Sequence, residues 1–347
     1  MKEFKTSQNC KVLTLKKLTI LSNIMERIAL ITPGGDAPGI NSAIGTIIHL
    51  TRNDKIELIG INDGYKGLID VDFCEMKGIT YSWLMGVSGT ILHCERMHSF
   101  KEEKVLKKAS KILKNKGIEG LIVIGGNGSF KGALDLFKFS RIPTVAIPAT
   151  IDNDIYGTDE TIGFDTACNT ALEAINRIKD TAVSFERIFL VEVMGRDRGF
   201  IALEVGIASG AEAVLIPEVE PPLEEIAKGL KRARLRGNTN AIIVAAEGVS
   251  KRREIAKFFE DKTGAEVRVS VLGYIQRGGS PTRRSRMLGV EFASYAYEIL
   301  KESPTRPKMV GLQSGEIVTM DLEKSIQGYK EIDIEKYKLH RKLSNIY

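Results

Sequence analysis

Short apolar runs that alternate with helical stretches constrain the fold of this chain more than any other feature. The runs are RIALIT at Arg27, LIVIGG at Leu121, TVAIP at Thr144, RIFLVEV at Arg187, AEAVLIP at Ala211, AIIVAAE at Ala241 and VRVSVLG at Val267. Between them lie stretches such as 101–116, whose apolar residues recur on one helical face. Near-continuous apolar strands alternating with helices are typical of parallel sheets that are covered on both faces. The sequence therefore predicts an α/β protein with doubly wound, three-layer, mostly parallel sheets.

Composition and charge distribution bound the class of protein. The chain has 347 residues, of which 43% are hydrophobic and 27% charged, as in globular proteins with a large core, and its length favours two domains. The net charge is +6, but residues 1–24 hold five lysines against one glutamate and so contribute +4 of it. The rest of the chain is close to neutral, which argues against a nucleic-acid partner.

Residues 1–24 and the cysteines argue against a secreted, a membrane-spanning, a zinc-binding or a disulfide-rich protein. Residues 1–24 lack the apolar core of a secretory signal, and no later run is long and apolar enough to span a membrane, so we expect a cytoplasmic protein with no membrane partner. We expect residues 1–24 to form a disordered extension. Cys10, Cys74, Cys94 and Cys168 lack paired spacing, which argues against a zinc site or a disulfide framework.

Two glycine-rich segments each follow an apolar run and open a helical stretch. They are TPGGDAPGINSAI from Thr32 and GGNGS from Gly125. Glycines let a backbone approach a ligand closely, and free N–H groups at a helix start attract phosphate, although a tight turn between strand and helix needs the same residues. The second segment lacks the Lys of the Walker pattern, and we expect Ser129 to cap the helix that follows it.

Acidic and basic motifs stand after other runs, at the edge where open parallel sheets bind ligands. In PATIDNDIYGTDETIGFDTA, one of Asp152 and Asp154 could act as a general base while the other helps to hold a cation, although turns also use such residues. Arg196, in VEVMGRDRG, is suited to neutralising a phosphoryl group, and Arg277, in VLGYIQRGGSP, to a sugar phosphate. A solvated surface arginine is the alternative for each.

Together and in this order, GGDAPG, GGNGS, PATIDND, VEVMGR and GYIQRGGSP closely resemble the phosphofructokinase family. The resemblance runs from about Ile28 to the MVGLQSGEIV segment near Met309. It implies two α/β domains around a cleft, with the nucleotide in one and fructose 6-phosphate in the other. The implied boundaries are 25–162 plus about 276–326 for the nucleotide domain, and about 163–275 plus 327–347 for the sugar-phosphate domain.

The resemblance also implies roles for individual residues. Asp152, with Thr150 beside it, would take the proton from the sugar 1-hydroxyl, while Arg196, Arg96 and the Gly35 backbone would stabilise the transferring phosphoryl group. Residues implied to bind the nucleotide are Gly35, Arg96, Met97, Gly126, Asn127, Gly128 and Ser129. Residues implied to bind the sugar phosphate are Thr150, Asp152, Arg187, Met194, Gly195, Arg196, Glu247, Arg268, Tyr274 and Arg277. Asn127 and Asp154 would hold Mg²⁺.

The resemblance also implies an oligomer. In the family, the arginines that match Arg187 and Arg268 reach the site of a neighbouring subunit. The resemblance therefore implies a homo-oligomer, a dimer or a tetramer.

Some positions bear on the choice of phosphoryl donor, and others depart from the family pattern. Small residues at Gly128 and Ala149 resemble ATP users, whereas pyrophosphate users tend to carry Asp and Lys there. Asn127 replaces the usual Asp, so we expect a higher magnesium requirement, and Tyr274 stands where many members have His. Regulated bacterial members carry arginines at Gly45 and His49, so we expect control by ADP or phosphoenolpyruvate to be absent or altered.

Other readings of the same residues stay open. A pyrophosphate-dependent enzyme, or a kinase of another sugar phosphate such as sedoheptulose 7-phosphate, would share most of these motifs. NAD kinases and diacylglycerol kinases carry a similar glycine loop but lack the combination of TIDND, MGR and QRGGSP. A catalytically weakened regulatory subunit would be supported only by Asn127.

Overall fold

The structure is a computed structural model that describes residues 25–344 and 346–347. The extension expected over residues 1–24 lies outside the described residues. The strands are β1 Arg27–Ile31, β2 Glu57–Ile61, β3 Phe73–Glu75, β4 Gly120–Gly125, β5 Thr144–Thr150, β6 Ile162–Gly163, β7 Ile188–Val193, β8 Ala213–Leu215, β9 Ala241–Ala246, β10 Val267–Val271, β11 Lys308–Gln313 and β12 Glu316–Asp321.

Helices connect most of these strands, as the alternation predicts, although β5 and β6 follow each other directly and so do β11 and β12. They are α1 Ile40–Asn53, α2 Gly64–Asp70, α3 Tyr81–Gly86, α4 Glu103–Asn115, α5 Asn127–Ser140, α6 Phe164–Phe185, α7 Phe200–Ser209, α8 Leu223–Leu235, α9 Arg252–Thr263, α10 Arg283–Lys301, α11 Leu322–Gln327 and α12 Ile334–Leu343. Short 3₁₀ helices cover His98–Lys101 and Gly273–Arg277. No helix within residues 25–344 combines the length and apolar character that crossing a membrane requires.

The strands form two sheets. The larger has the order β12-β11-β5-β4-β1-β2-β3, with β6 beside β5, and the smaller has the order β10-β7-β9-β8. Every pair is parallel except β2 with β3 and β11 with β12. The prediction of an α/β fold with mostly parallel sheets is confirmed.

Both faces of the larger sheet are buried, as the near-continuous apolar runs predict. Ile122 and Ile124 of β4 lie in one hydrophobic cluster, while Leu121 and Val123 lie in a second cluster on the opposite face. Successive side chains of a strand point to opposite faces, so a strand covered on both sides must be apolar throughout. Helices α1 and α10 pack together on the first face, and α4 and α5 on the second.

The chain passes between the two sheets repeatedly. Residues 27–163 and 308–321 build the larger sheet, and residues 188–271 build the smaller one. After α11, which packs on α5 beside the larger sheet, the chain returns to the smaller sheet, where α12 packs against α7 and β8. Loops that leave the larger sheet therefore meet loops that leave the smaller sheet in the space between the two sheets.

Candidate active site

A cavity of about 300 Å³ lies beyond the carboxyl ends of β1, β4 and β5. Both glycine-rich segments line it, and Arg196 and Arg277 reach it from the segments that follow β7 and β10. The full lining is Pro33, Gly34, Gly35, Asp36, Tyr65, Arg96, Met97, His98, Gly126, Asn127, Gly128, Ser129, Ala149, Thr150, Ile151, Asp154, Arg196 and Arg277. The fold thus brings motifs that are far apart in sequence to one wall.

Gly35 permits a close approach at the edge of this cavity. A Cβ atom built on Gly35 would lie 2.2 Å from Nη2 of Arg277, so any side chain there would displace the guanidinium from the cavity wall. Nε of Arg277 lies 3.6 Å from Oδ1 of Asp36, in the same glycine-rich segment. The cavity therefore holds an arginine against a turn whose backbone is open to a ligand.

Ser129 does not cap the helix after the second glycine-rich segment, so that prediction is wrong. Helix α5 already begins at Asn127, because Gly126 takes the extended conformation that precedes a helix and leaves Ser129 in the first turn. Oγ of Ser129 is buried and has no hydrogen-bond partner within the described residues, while the Tyr65 hydroxyl donates to the Ser129 carbonyl at 2.5 Å. A buried hydroxyl of this kind is free to bind a ligand in the cavity.

Asp152 and Arg196 meet where the two sheets face each other. Nε of Arg196, after β7, lies 3.1 Å from Oδ2 of Asp152, after β5. Asp152 is 4% exposed and does not itself line the cavity, which it reaches through Arg196. Burial raises the pKa of Asp152 above the usual range of an aspartate, and the nearby Arg196 guanidinium only partly opposes this.

The loop that carries Asp152 is fixed by its own polar side chains. Asn153 has a φ of 52°, and its Nδ2 donates to the Asp159 carbonyl at 3.1 Å. The Thr161 hydroxyl donates to the Thr150 carbonyl at 2.6 Å, and the Asp152 amide donates to the Thr150 hydroxyl at 3.2 Å. These contacts keep Asp152 buried while Asp154 lines the cavity.

Asn127 and Asp154 lie side by side in the cavity wall. Nδ2 of Asn127 donates to the Asp154 carbonyl at 3.4 Å. Residues 25–344 contain no group of three or more His, Cys, Asp or Glu side chains that could hold a metal. Mg²⁺ that is shared with phosphates typically needs only one or two carboxylates, so one carboxylate and one amide oxygen fit such a bridging ion but not a site made of protein alone.

A second cavity, of about 140 Å³, contains three of the residues that the sequence associates with the sugar phosphate. Met194, Glu247 and Tyr274 line it, and Tyr274 is 79% exposed. Oε2 of Glu247 accepts a hydrogen bond of 3.1 Å from the backbone N–H of Arg196, which joins this cavity to the larger one. Arg277 lies in the larger cavity instead, so the structure separates it from Tyr274.

Arg187 and Arg268 line neither cavity within this chain. Arg187 precedes β7, Arg268 lies in the edge strand β10, and both pair with Glu266. Gly195 lies in the turn before Arg196 at a φ of 135° and lines neither cavity. The structure thus brings most of the predicted site residues together but leaves these three aside.

Sequence reasoning missed several residues of the cavity wall. Tyr65 is one: its ring stacks on Phe100 at 3.9 Å, and its hydroxyl bonds a residue 64 positions away. No local pattern marks such a residue. His98 follows the predicted Arg96 and Met97, so its position was the one available signal.

Comparison with known proteins identifies the family of this chain. The family model described as Phosphofructokinase matches residues 27–300. The ATP-dependent 6-phosphofructokinase of Lysinibacillus sphaericus is 45% identical over 320 residues, which cover 92% of this chain and 100% of that protein. The ATP-dependent 6-phosphofructokinase of Halothermothrix orenii is 44% identical over 332 residues, with the same coverage of both.

Solved structures show the same fold. The phosphofructokinase of Saccharomyces cerevisiae matches with a TM-score of 0.83 and 28% identity over 87% of this chain, which spans only 45% of the yeast chain. A pyrophosphate-dependent phosphofructokinase from Marinobacter aquaeolei matches with a TM-score of 0.78 over 90% of this chain and 86% of its own, but at 20% identity it supports the fold alone. On the family model and the curated relatives, this chain belongs to the phosphofructokinase family.

Proposed function

We propose that this chain transfers the γ-phosphoryl group of ATP to the 1-hydroxyl of fructose 6-phosphate, giving fructose 1,6-bisphosphate in glycolysis. The observation that carries the proposal is the buried Asp152, paired at 3.1 Å with Arg196 beside a cavity that both glycine-rich segments line. The curated relatives named ATP-dependent 6-phosphofructokinase support the same reaction.

Asp152 is proposed as the general base. It would take the proton of the sugar 1-hydroxyl as that oxygen forms its bond to the γ-phosphorus and ADP leaves. The raised pKa of Asp152 makes its carboxylate a stronger base than an ordinary aspartate, and general-base help of this kind contributes typically ~10²–10⁴-fold. Thr150 would hold this loop, since its hydroxyl accepts the Asp152 amide.

Arg196, Arg96 and the Gly35 backbone are proposed to stabilise the transferring phosphoryl group. Arg196 is 54% exposed at its side chain, so it can leave Asp152 and turn to a phosphate in the cavity. Arg96 and Gly35 line the same cavity. Phosphoryl transfer depends almost entirely on positioning and on charge stabilisation, which is what a ring of cations and backbone donors provides.

ATP is proposed as the donor, in preference to pyrophosphate. No atom of the described residues lies within 4 Å of a Cβ atom built on Gly128, and Gly128 and Ala149 both line the cavity. That open space would accept the α-phosphate of a nucleotide, which pyrophosphate lacks. Met97, Gly126 and Ser129 line the same wall, and the Ser129 hydroxyl, which has no partner in the part of the chain that the structure describes, is available to a phosphate.

Asp154 and Asn127 are proposed as the residues that would hold Mg²⁺ together with the phosphates of the nucleotide. When bound, it would supply positive charge to the β- and γ-phosphate oxygens. Asp154 would contribute a carboxylate and Asn127 only a neutral oxygen. Asp36, which lines the same cavity, is the other carboxylate within reach of such an ion.

The sugar phosphate is proposed to span the smaller cavity and its junction with the larger one, with Met194, Gly195, Glu247, Tyr274 and Arg277 around it. Because Arg187 and Arg268 line neither cavity of this chain, they are proposed to serve a neighbouring copy in a dimer or a tetramer. The two sheets are proposed to mark the two domains with the boundaries given above. Analytical ultracentrifugation tests the assembly, and a monomer at assay concentration would contradict it.

A coupled assay of fructose 1,6-bisphosphate formation tests the reaction and the donor together. Purified protein is given fructose 6-phosphate and Mg²⁺ with either ATP or pyrophosphate, and sedoheptulose 7-phosphate replaces the acceptor in parallel. We expect turnover with ATP and fructose 6-phosphate, and Asp152→Asn as a matched control that binds both without turnover. Preference for pyrophosphate or for the other sugar would overturn the corresponding half of the proposal.

A further inference from the structure

The segment 328–333, between α11 and α12, crosses from the larger sheet to the smaller one beside the two loops that carry Asp152 and Arg196. We call it the strap. Gly328 packs on Tyr156 so closely that a Cβ atom there would lie 2.1 Å from the ring. Ser325, just before the strap, donates to the Tyr156 carbonyl at 2.9 Å. The strap therefore begins against the Asp152 loop.

Arg198 ties the strap to the Arg196 loop. It belongs to the VEVMGRDRG motif, yet the proposed reaction gives it no role. Its guanidinium lies 4.1 Å from the centre of the Tyr329 ring and donates to the Lys330 carbonyl. Arg198 is 9% exposed, and its Nε lies 3.2 Å from Oε1 of Glu218, which also accepts the Gly199 amide at 3.0 Å. An arginine so stacked and paired has little freedom to move.

Lys330 ties the strap to the Asp152 loop. Its Nζ donates to the Asp159 carbonyl at 2.9 Å, and this carbonyl also accepts the Asn153 side chain at 3.1 Å. Asn153 is the neighbour of Asp152 in the chain, so the lysine acts on the base through two intermediate residues, Asp159 and Asn153. Burial beside the Phe200 ring lowers the pKa of Lys330 to about 8, against the attraction of Asp159, Asp154 and Glu160.

We propose that Lys330 and Arg198 are positioning residues, which hold the strap across both loops and so fix the distance between the loop that carries Asp152 and the loop that carries Arg196. The two functional groups come from different sheets, and their direct ion pair is weak as a spacer because Arg196 is 54% exposed. The strap adds contacts to both loops, and the contact on the Arg196 loop is made by Arg198, which is only 9% exposed. Misplacing a reacting group by about 1 Å can cost about 10²-fold in rate.

The test rests on the proposed function and uses the full-length chain. Lys330→Met removes the donor to Asp159 and keeps the length of the side chain, whereas Lys330→Arg keeps a donor. We expect Lys330→Met to lower kcat by about 10–10²-fold with KM for ATP and fructose 6-phosphate within about twofold, and Lys330→Arg to recover most of kcat. Lys324→Met, an exposed lysine on α11, is the matched control and should leave kcat unchanged.

A second measurement, without substrates, separates the strap from the reaction. Hydrogen exchange of the Asp152, Asp159 and Arg198 amides, all of which have acceptors, should speed up in Lys330→Met and stay unchanged in Lys324→Met. Arg198→Lys keeps the charge opposite Glu218 but loses the planar guanidinium. It should show the same loss of kcat and the same faster exchange, and it replaces Lys330→Met as the test if Lys330→Met does not fold.

The outcomes are distinct. Unchanged kcat in Lys330→Met beside an active wild-type protein would overturn the positioning role, as would unchanged exchange at those amides. If wild-type protein turns over no sugar phosphate with either donor, the proposed function fails, and faster exchange confined to the two loops still supports the strap.

Discussion

Replacing Gly128 by Asp provides the sharpest test of how the larger cavity selects its donor. Gly128 is the second residue of α5 and lines the cavity, and a Cβ atom built there meets no atom within 4 Å among residues 25–344 and 346–347. The substitution therefore adds a side chain without a steric conflict inside the protein. Asp in the first turn also replaces a poor helix former and complements the helix dipole, so the free energy of unfolding should rise by up to about 1 kcal/mol.

The cost to ATP follows from charge. A carboxylate held about 5 Å from one negative charge of the nucleotide, at an effective dielectric of 20, is repelled by about 3 kcal/mol, which corresponds to roughly a hundredfold in KM. Gly128→Asn adds nearly the same volume without the charge and Gly128→Ala adds only a methyl group, so the three variants separate repulsion from volume.

The assay measures kcat and KM with ATP and with pyrophosphate, together with the thermal unfolding midpoint, for the wild type and the three variants. We expect the KM for ATP to rise in the order Ala, Asn, Asp, with no loss of stability in Gly128→Asp. A folded Gly128→Asp protein whose KM for ATP stays within twofold of the wild type would refute the proposed position of the nucleotide at residue 128.

Further predictions concern the base, the metal and regulation. Asp152→Asn should lower kcat by ~10²–10⁴-fold while the unfolding midpoint holds or rises, because burial raises the pKa of Asp152 and its charged form costs the folded state free energy at neutral pH; a matching loss of stability would contradict this. Because the pKa of Asp152 is raised, its carboxylate should become protonated at a higher pH than an ordinary aspartate does. The kcat/KM of the wild type should therefore begin to fall at that higher pH as the solution is acidified, and a pH profile measures this. Asn127→Asp should lower the magnesium concentration for half-maximal rate several-fold, since it restores a carboxylate beside Asp154, and identical magnesium curves would count against it. Phosphoenolpyruvate should change the rate less than twofold at subsaturating fructose 6-phosphate, because Gly45 and His49 stand at the positions where the resemblance implies effector-binding arginines; a several-fold response would be inconsistent with this.

The fold was readable from the sequence because its signals are local. A strand buried on both faces must be apolar along its length, and β4 is, so the run at Leu121 predicted both the strand and the two layers that cover it. The helix predicted over 101–116 is observed as α4, Glu103–Asn115. The strand expected from Ala211 is shorter, at Ala213–Leu215, since apolar runs do not mark where pairing with a neighbour stops.

Local signals also failed where a competing local choice existed. Ser129 has the residue type of a helix cap, but the glycine before Asn127 lets α5 start earlier and turns that hydroxyl into the cavity wall. The sequence contains both options, and only the backbone conformation of Gly126 decides between them. This is the ordinary limit of reading caps from residue type.

By itself, the sequence determined the alternation of strands and helices, the positions of the glycine-rich segments and the motifs by which the family is recognised. Only the tertiary structure decided which of those motifs face one another. Arg277 lies against Gly35 and apart from Tyr274, and Asp152 of one loop pairs with Arg196 of a loop from the other sheet. Lys330 contacts the loop that carries Asp152. The physical reason is that strand and turn preferences act between neighbours in the chain, whereas these contacts join residues far apart in sequence, which have no common pattern until the sheets pack.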